Sequence, residues 1–229
     1  MPADATPSTV VVTGSRSGIG RAIALRLARD GWGVIGVDLA ADADGAHLAS
    51  QRVCDLADPA QVQALVAGLP RVRALVHAAG FMRTAALDDL DPADGEAMWA
   101  VHVRALTLLA QGLGPGMPAG GRLLAIGSRT SAGAAGKSQY AACKAAVTAL
   151  IRSWALELAP REITANVIAP AATATPMLTD AQRTVAPVLP PIGRYIEPDE
   201  IAAYAAFLLS PEASAITGQE LLVCGGASL

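Results

Sequence analysis

Cysteine is scarce in this 229-residue chain: Cys54, Cys143 and Cys224 are odd in number and far apart, which argues against a disulfide framework or a cysteine-based zinc site. Histidine is as sparse, and His47, His77 and His102 stand at no metal-ligand spacing, so no structural or catalytic metal is expected. Lys and Arg form no cluster, and a net charge of −3 leaves no footprint for nucleic acid. No uncharged apolar run approaches the roughly 18 residues of a membrane span, so no membrane partner is expected. Residues 1–8 are polar, with neither a basic start nor an apolar stretch. They read as a disordered tail rather than a signal peptide, and a cytoplasmic location follows by default.

Aromatic residues are only 3% of a chain that is 52% hydrophobic, so its core must be built from Ala, Val, Leu and Ile. That composition suits helices packed closely on a parallel sheet. Residues 9–229 are read as one domain. Near-continuous apolar runs at Thr9–Thr13, Gly33–Asp38, 73–77, 122–127, 163–168 and Glu220–Val223 predict strands. Helices are predicted between them at 18–30, Pro59–Ala67, 92–111, 138–159 and Pro198–Leu209. Strands so widely separated need crossover connections, hence a parallel α/β sheet with helices on both faces. The 138–159 helix is apolar on nearly every side. Either the chain buries it entirely or it packs against another subunit, and the second reading is preferred.

The segment from Thr13 to Gly20 places Gly14, Gly18 and Gly20 between an apolar strand and a helix. Such a turn lets backbone amides approach a pyrophosphate at a helix N-terminus. Asp38 ends the second strand eighteen residues after Gly20, where a carboxylate accepts hydrogen bonds from both ribose hydroxyls and repels a 2′-phosphate. NAD is therefore expected over NADP, with Arg16 in the loop as the one feature favouring a phosphate. Asp55 suits either an adenine contact or a helix cap. Small residues in His77-Ala78-Ala79-Gly80 leave room for the cofactor across the strand ends.

Tyr140 and Lys144 stand four residues apart on a predicted helix, with Ser128 twelve residues upstream. That spacing sets phenol and ammonium on one helical face. Free tyrosine ionises near pH ~10, so acid or base work at neutral pH needs a shift of roughly 2 to 3 units, about 3 to 4 kcal/mol. A neighbouring cation, helped by an oxidised nicotinamide, moves the phenol in that direction. Ser128 would hold a substrate oxygen while Tyr140 passes the proton.

With these residues together, the chain from Val10 to Gly226 resembles the short-chain dehydrogenase/reductase family. Thr13 to Gly20 matches its T-G-x-x-x-G-x-G motif, Asp38 its NAD-selecting acid, Asp55 its adenine contact and Ala78-Ala79-Gly80 most of its N-A-G motif. Ser128, Tyr140 and Lys144 match its catalytic set. The resemblance implies a Rossmann-type, doubly wound sandwich with a seven-stranded parallel sheet between two helix layers. It further implies that Lys144 bonds the nicotinamide ribose, that Pro170 to Thr175 frames the nicotinamide, and that Arg16, Ser17, Ile19, Leu56, Ala79, Gly80, Tyr140 and Thr173 join the cofactor contacts. A homotetramer or homodimer through helices 92–111 and 138–159 is implied as well. The family's helix asparagine, which orders a proton-relay water, corresponds to His102, counted here with the catalytic residues. His77 and Ala78 replace two asparagines, Ala171 replaces a glycine, and the interval from Ser128 to Tyr140 is one residue short. These departures bear on catalytic efficiency rather than on the fold.

Segment 176–197 is expected to cover the substrate with Met177, Leu178, Val185, Val188, Leu189 and Ile192. Arg83, Arg129 and Arg194 each suit either an anionic group or the solvated surface. The leading expectation is an NAD(H)-dependent oxidoreductase interconverting a secondary alcohol and its ketone. Dehydrogenation of a dihydrodiol to a catechol is the second reading, and an NAD-binding scaffold or regulator without efficient turnover the third.

Overall fold

The computed structural model describes residues 8–181 and 184–229. The chain runs β1 (Thr9–Thr13), α1 (Gly18–Arg29), β2 (Gly33–Asp38), β3 (Ser50–Val53), α2 (Pro59–Ala67), β4 (Ala74–His77), α3 (Pro92–Trp99), α4 (Ala105–Leu113), β5 (Arg122–Ile126), α5 (Ser138–Leu158), β6 (Thr164–Pro170), α6 (Pro198–Leu209) and β7 (Glu220–Val223). All seven strands pair in parallel in the order β3-β2-β1-β4-β5-β6-β7. This is the Rossmann-like architecture expected from the sequence.

The period of two along each strand distributes the aliphatic residues between two cores. Val10 and Val12 of β1, with Val34, Val76 and Leu124, pack under α1 and α6. Val11, Ile35 and Leu75 point the other way, under α2 and α4. On that second face α5 covers β5 and β6, with Val147 and Ile151 against Leu123, Ala125 and Val167. The order reverses between β1 and β4, and it is there that an α/β sheet opens a crevice beyond its strand ends.

Of the predicted tail only Ser8 is described, and its carbonyl accepts the Gly33 amide at 3.0 Å immediately before β1; the rest of that tail lies outside the described residues. One helix and one strand differ from expectation. The 92–111 helix is three pieces, because residues Ala100–Arg104 form a π turn between α3 and α4. β6 starts one residue late and runs to Pro170, paired with Val223. On α5, Tyr140, Lys144, Val147 and Ile151 are buried, whereas Ala142, Ala145, Ala149 and Leu156 are exposed. The chain thus does not bury this helix entirely. Among the described residues no helix is long and apolar enough to cross a membrane.

Candidate active site

β1 delivers the glycine-rich turn to the switch point, and the close approach there demands glycine. Gly14 sits at φ +67°, where a Cβ would lie 2.8 Å from the Ala79 Cα. Thr13 locks the same junction: its hydroxyl oxygen accepts the amides of Ala78 and Ala79, each at 3.1 Å. One cavity of about 530 Å³ runs from this turn across the strand ends. Gly14, Ser17, Gly18, Ile19 and Gly20 line one end; Ala79, Gly80, Pro170, Thr173 and Thr175 line its middle. This backbone-lined cradle fits a dinucleotide pyrophosphate at the α1 N-terminus.

The adenine-side candidates lie outside that cavity. The Asp38 carboxylate accepts the Arg16 amide at 3.0 Å and the Leu39 amide at 2.8 Å, which fixes it at the mouth of the turn with lone pairs to spare. Arg16 itself is exposed. Asp55 uses one carboxylate oxygen on the Ala57 amide at 2.8 Å, a local turn leading into α2. Leu56 is buried in the core beside Val62 and Val72, so only its backbone can face a ligand.

At the other end of the cavity stand Ser128, Tyr140 and Lys144. Lys144 and Tyr140 share a face of α5, with Lys144 Nζ 5.6 Å from the Tyr140 ring centroid. Lys144 is buried, and Nζ donates to the Ile126 carbonyl at 2.7 Å. Burial pulls its ammonium down to about 8, so the cation facing the phenol is retained at neutral pH and lost in mild alkali. Ser128 ends the β5 loop. Its Oγ accepts the Thr130 amide at 3.2 Å and lies 2.8 Å from the Thr130 hydroxyl.

His102 enters from the π turn. Its Nε2 donates to the Phe81 carbonyl at 2.8 Å, and its ring meets Tyr140 edge-on at 5.6 Å between centroids. A Cβ at Gly80 would collide with this imidazole. Nδ1 is buried with no hydrogen-bond partner among the described residues. Burial foremost, then the Lys144 charge, holds the ring neutral well below its usual range, so it serves as an acceptor at Nδ1 rather than as a cation.

Two supports have no local sequence pattern. Thr130, from the turn after Ser128, is buried in the cavity wall and orients the serine hydroxyl. Glu220, at the start of β7, accepts the Ser131 hydroxyl at 2.7 Å and the Thr148 hydroxyl at 3.1 Å. It thereby ties the serine turn to α5 one helical turn past Lys144.

The covering segment is fastened through Thr184, whose amide and hydroxyl bond Thr84 Oγ1 and the Thr84 carbonyl, both at 2.7 Å. Met177, Leu178 and Val188 line the cavity, although Val188, like Leu189 and Ile192, is exposed, and Val185 faces Gly136. The three arginines separate clearly. Arg194 forks onto Glu200 at 2.7 and 2.9 Å, Arg83 lies between Asp94 at 3.9 Å and Asp180 at 3.6 Å, and Arg129 lines the cavity.

Residues 14–228 match the family model described as Enoyl-(Acyl carrier protein) reductase. The (2S)-[(R)-hydroxy(phenyl)methyl]succinyl-CoA dehydrogenase subunit BbsD of Thauera aromatica is 34% identical, covering 96% of each chain. The 2,3-dihydro-2,3-dihydroxybenzoate dehydrogenase of Escherichia coli K12 is 35% identical, covering 99% of each. Among solved structures, a short chain dehydrogenase from Burkholderia cenocepacia in complex with NADP superposes with TM-score 0.84 at 32% identity, covering 97% of this chain and 98% of that one. A 3-ketoacyl-(acyl-carrier-protein) reductase from Brucella melitensis complexed with NADH gives 0.84 at 29% identity, with the same coverage.

Proposed function

The chain belongs to the short-chain dehydrogenase/reductase family, and from that premise we propose an NAD(H)-dependent oxidoreductase that interconverts a secondary alcohol and its ketone. The observation that carries the proposal is a single cavity with the glycine-rich turn at one end and Ser128, Tyr140 and Lys144 at the other. Cofactor chemistry is supplied by a bound nicotinamide, which takes hydride in one direction and gives it in the other.

Tyr140 is the proton carrier in this reading. In alcohol oxidation its phenolate removes the hydroxyl proton as hydride leaves the carbinol carbon; in ketone reduction the phenol returns that proton to the oxygen. Lys144, a cation below about pH 8, favours the phenolate and holds the nicotinamide ribose. Ser128 donates to the substrate oxygen, a role favoured when the Thr130 amide and hydroxyl occupy its lone pairs. His102 Nδ1 holds a relay water. The glycine turn with Ser17 and Ile19, together with Ala79, Gly80, Pro170, Thr173 and Thr175, cradles the cofactor. Asp38 receives the adenosine ribose, flanked by Arg16, Asp55 and the Leu56 backbone. The same reading includes a cytoplasmic homodimer or homotetramer through helices 92–111 and 138–159.

Nicotinamide absorbance with a panel of secondary alcohols and ketones tests the chemistry. Tyr140→Phe should lower turnover about 10³-fold, and unchanged turnover would remove the proposal. Nucleotide binding without turnover of any substrate would favour the scaffold reading. Asp38→Ala should erode the kcat/KM preference for NAD over NADP about tenfold by relieving repulsion of a 2′-phosphate; an unaltered ratio would refute the cofactor assignment. The relative named for a dihydrodiol supports a second reading, oxidation of a cyclic diol to a catechol, which catechol absorbance of the product would reveal.

A further inference from the structure

The reaction end of the cavity is unevenly charged. Arg129 follows Ser128 directly, is half-buried and lines the cavity, and has no hydrogen-bond or ion-pair partner among the described residues. Lys144 lines the same space, as does Lys137, which is already engaged in an interaction of its own. The carboxylate of Asp180 alone opposes them among the described lining residues, and Arg83 already faces it at 3.6 Å. His102 is neutral and contributes no charge. Phe81, Met82, Met177 and Leu178 add apolar surface to this end beside the polar Ser128, Thr130 and Tyr140.

A bound dinucleotide does not balance the excess, because its pyrophosphate belongs at the glycine-rich turn, the opposite end of the cavity. An arginine of the cavity wall whose side chain has no partner of its own among the described residues gains from a planar anion that accepts two parallel N–H bonds. Its chain neighbour Ser128 sets that anion near the reacting oxygen. We infer that the substrate carries a carboxylate close to its carbinol carbon, on an apolar body, and that Arg129 receives this carboxylate. This assignment rests on the oxidoreductase reading and narrows it to hydroxy acids and the corresponding keto acids.

The test compares 2- and 3-hydroxy acids bearing an alkyl or aryl tail with their methyl esters. The wild-type protein should prefer each acid by about 10- to 100-fold in kcat/KM, the range of one charge-assisted pair. Arg129→Gln should remove that preference mainly through KM, and Arg129→Lys should retain part of it. Esters used as well as acids by the wild type, or a preference that survives Arg129→Gln, would overturn the assignment. A second measurement does not depend on turnover: calorimetric binding of phenylacetate against phenylacetamide to the NAD-loaded protein. Phenylacetate should bind at least tenfold more tightly in the wild type and no better than the amide in Arg129→Gln; equal affinities in the wild type would also overturn it. Selective phenylacetate binding with no turnover of any alcohol would keep the anion site and defeat the oxidoreductase reading instead.

Discussion

The end of β4 and the π turn before α4 each carry a buried histidine, and the two are alike in burial and charge but opposite in hydrogen bonding. His77 uses both ring nitrogens: Nδ1 is 3.1 Å from the Thr13 hydroxyl and Nε2 is 3.1 Å from the Val101 carbonyl. Because a carbonyl only accepts, Nε2 carries the proton and Nδ1 takes the hydrogen of Thr13, whose oxygen already receives two amides. That closed set joins β1, β4 and the π turn. His102 has the same tautomer, bonded to the Phe81 carbonyl, yet its Nδ1 has no partner among the described residues and the ring lines the cavity. A buried polar ring whose bonds are all made serves structure, whereas one left with an acceptor in a reaction cavity is placed for chemistry.

The largest effect that can break this comparison is on stability. His77→Leu orphans the Thr13 hydroxyl and the Val101 carbonyl, so it should destabilise by about 3 kcal/mol while folded protein keeps most of its kcat. Urea unfolding and active-site titration measure the two. Burial, then the Lys144 charge, pulls His77 down to about 3 from 6.5. Between those values the unfolded chain binds a proton that the native state refuses, so stability falls as pH drops, by about 1.4 kcal/mol per unit. His102 acts in the same direction. His77→Leu should flatten that acid slope, and an unchanged slope would show the ring is not held neutral.

His102→Leu should reverse the pattern. It loses one bond to Phe81 and should cost about 1 kcal/mol in stability, but it should lower kcat about 10- to 100-fold by removing the acceptor beside Tyr140. His102→Asn, restoring a side chain that accepts and donates, should recover much of the rate. Equal kcat in His102→Leu and wild type would make the two histidines equivalent packing residues and end the distinction.

The reach of sequence reasoning follows from how each feature is encoded. β1, β2, β4 and β5 are short apolar runs because both sheet faces are covered, so composition alone exposes them, and β7 carries such a run although it is a half-exposed edge. β3 has no such run: Ser50–Val53 is a half-exposed edge paired only with β2, and its existence came from the resemblance. The π turn was illegible, since Ala100 to Arg104 has the pattern of an ordinary helix and its extra residue depends on packing under Gly80 and β4. Tyr140, Lys144 and Ser128 were legible as a spacing. Thr130 and Glu220 were not, since what gives them a place is tertiary contact with Ser128 and with Ser131 and Thr148.

Glu220 gives the smallest expected effect and the finest test of how the cavity is held. Its carboxylate receives one hydroxyl from the serine turn and one from α5, while the Thr148 hydroxyl is shared with the Lys144 carbonyl at 3.2 Å. Glu220→Ala frees both hydroxyls and lets the turn bearing Ser128 move relative to the helix bearing Tyr140. Stability should fall by about 1 kcal/mol because the site is only half-buried, and kcat should fall about 3- to 10-fold with cofactor KM unchanged, as expected for misplacement of reacting groups. Glu220→Gln should restore most of kcat, since its amide oxygen can accept the same two hydroxyls without the charge. A loss of stability in Glu220→Ala with kcat per folded molecule unaltered would mean that β7 braces the sheet edge and leaves the serine and tyrosine to be aligned by their own elements.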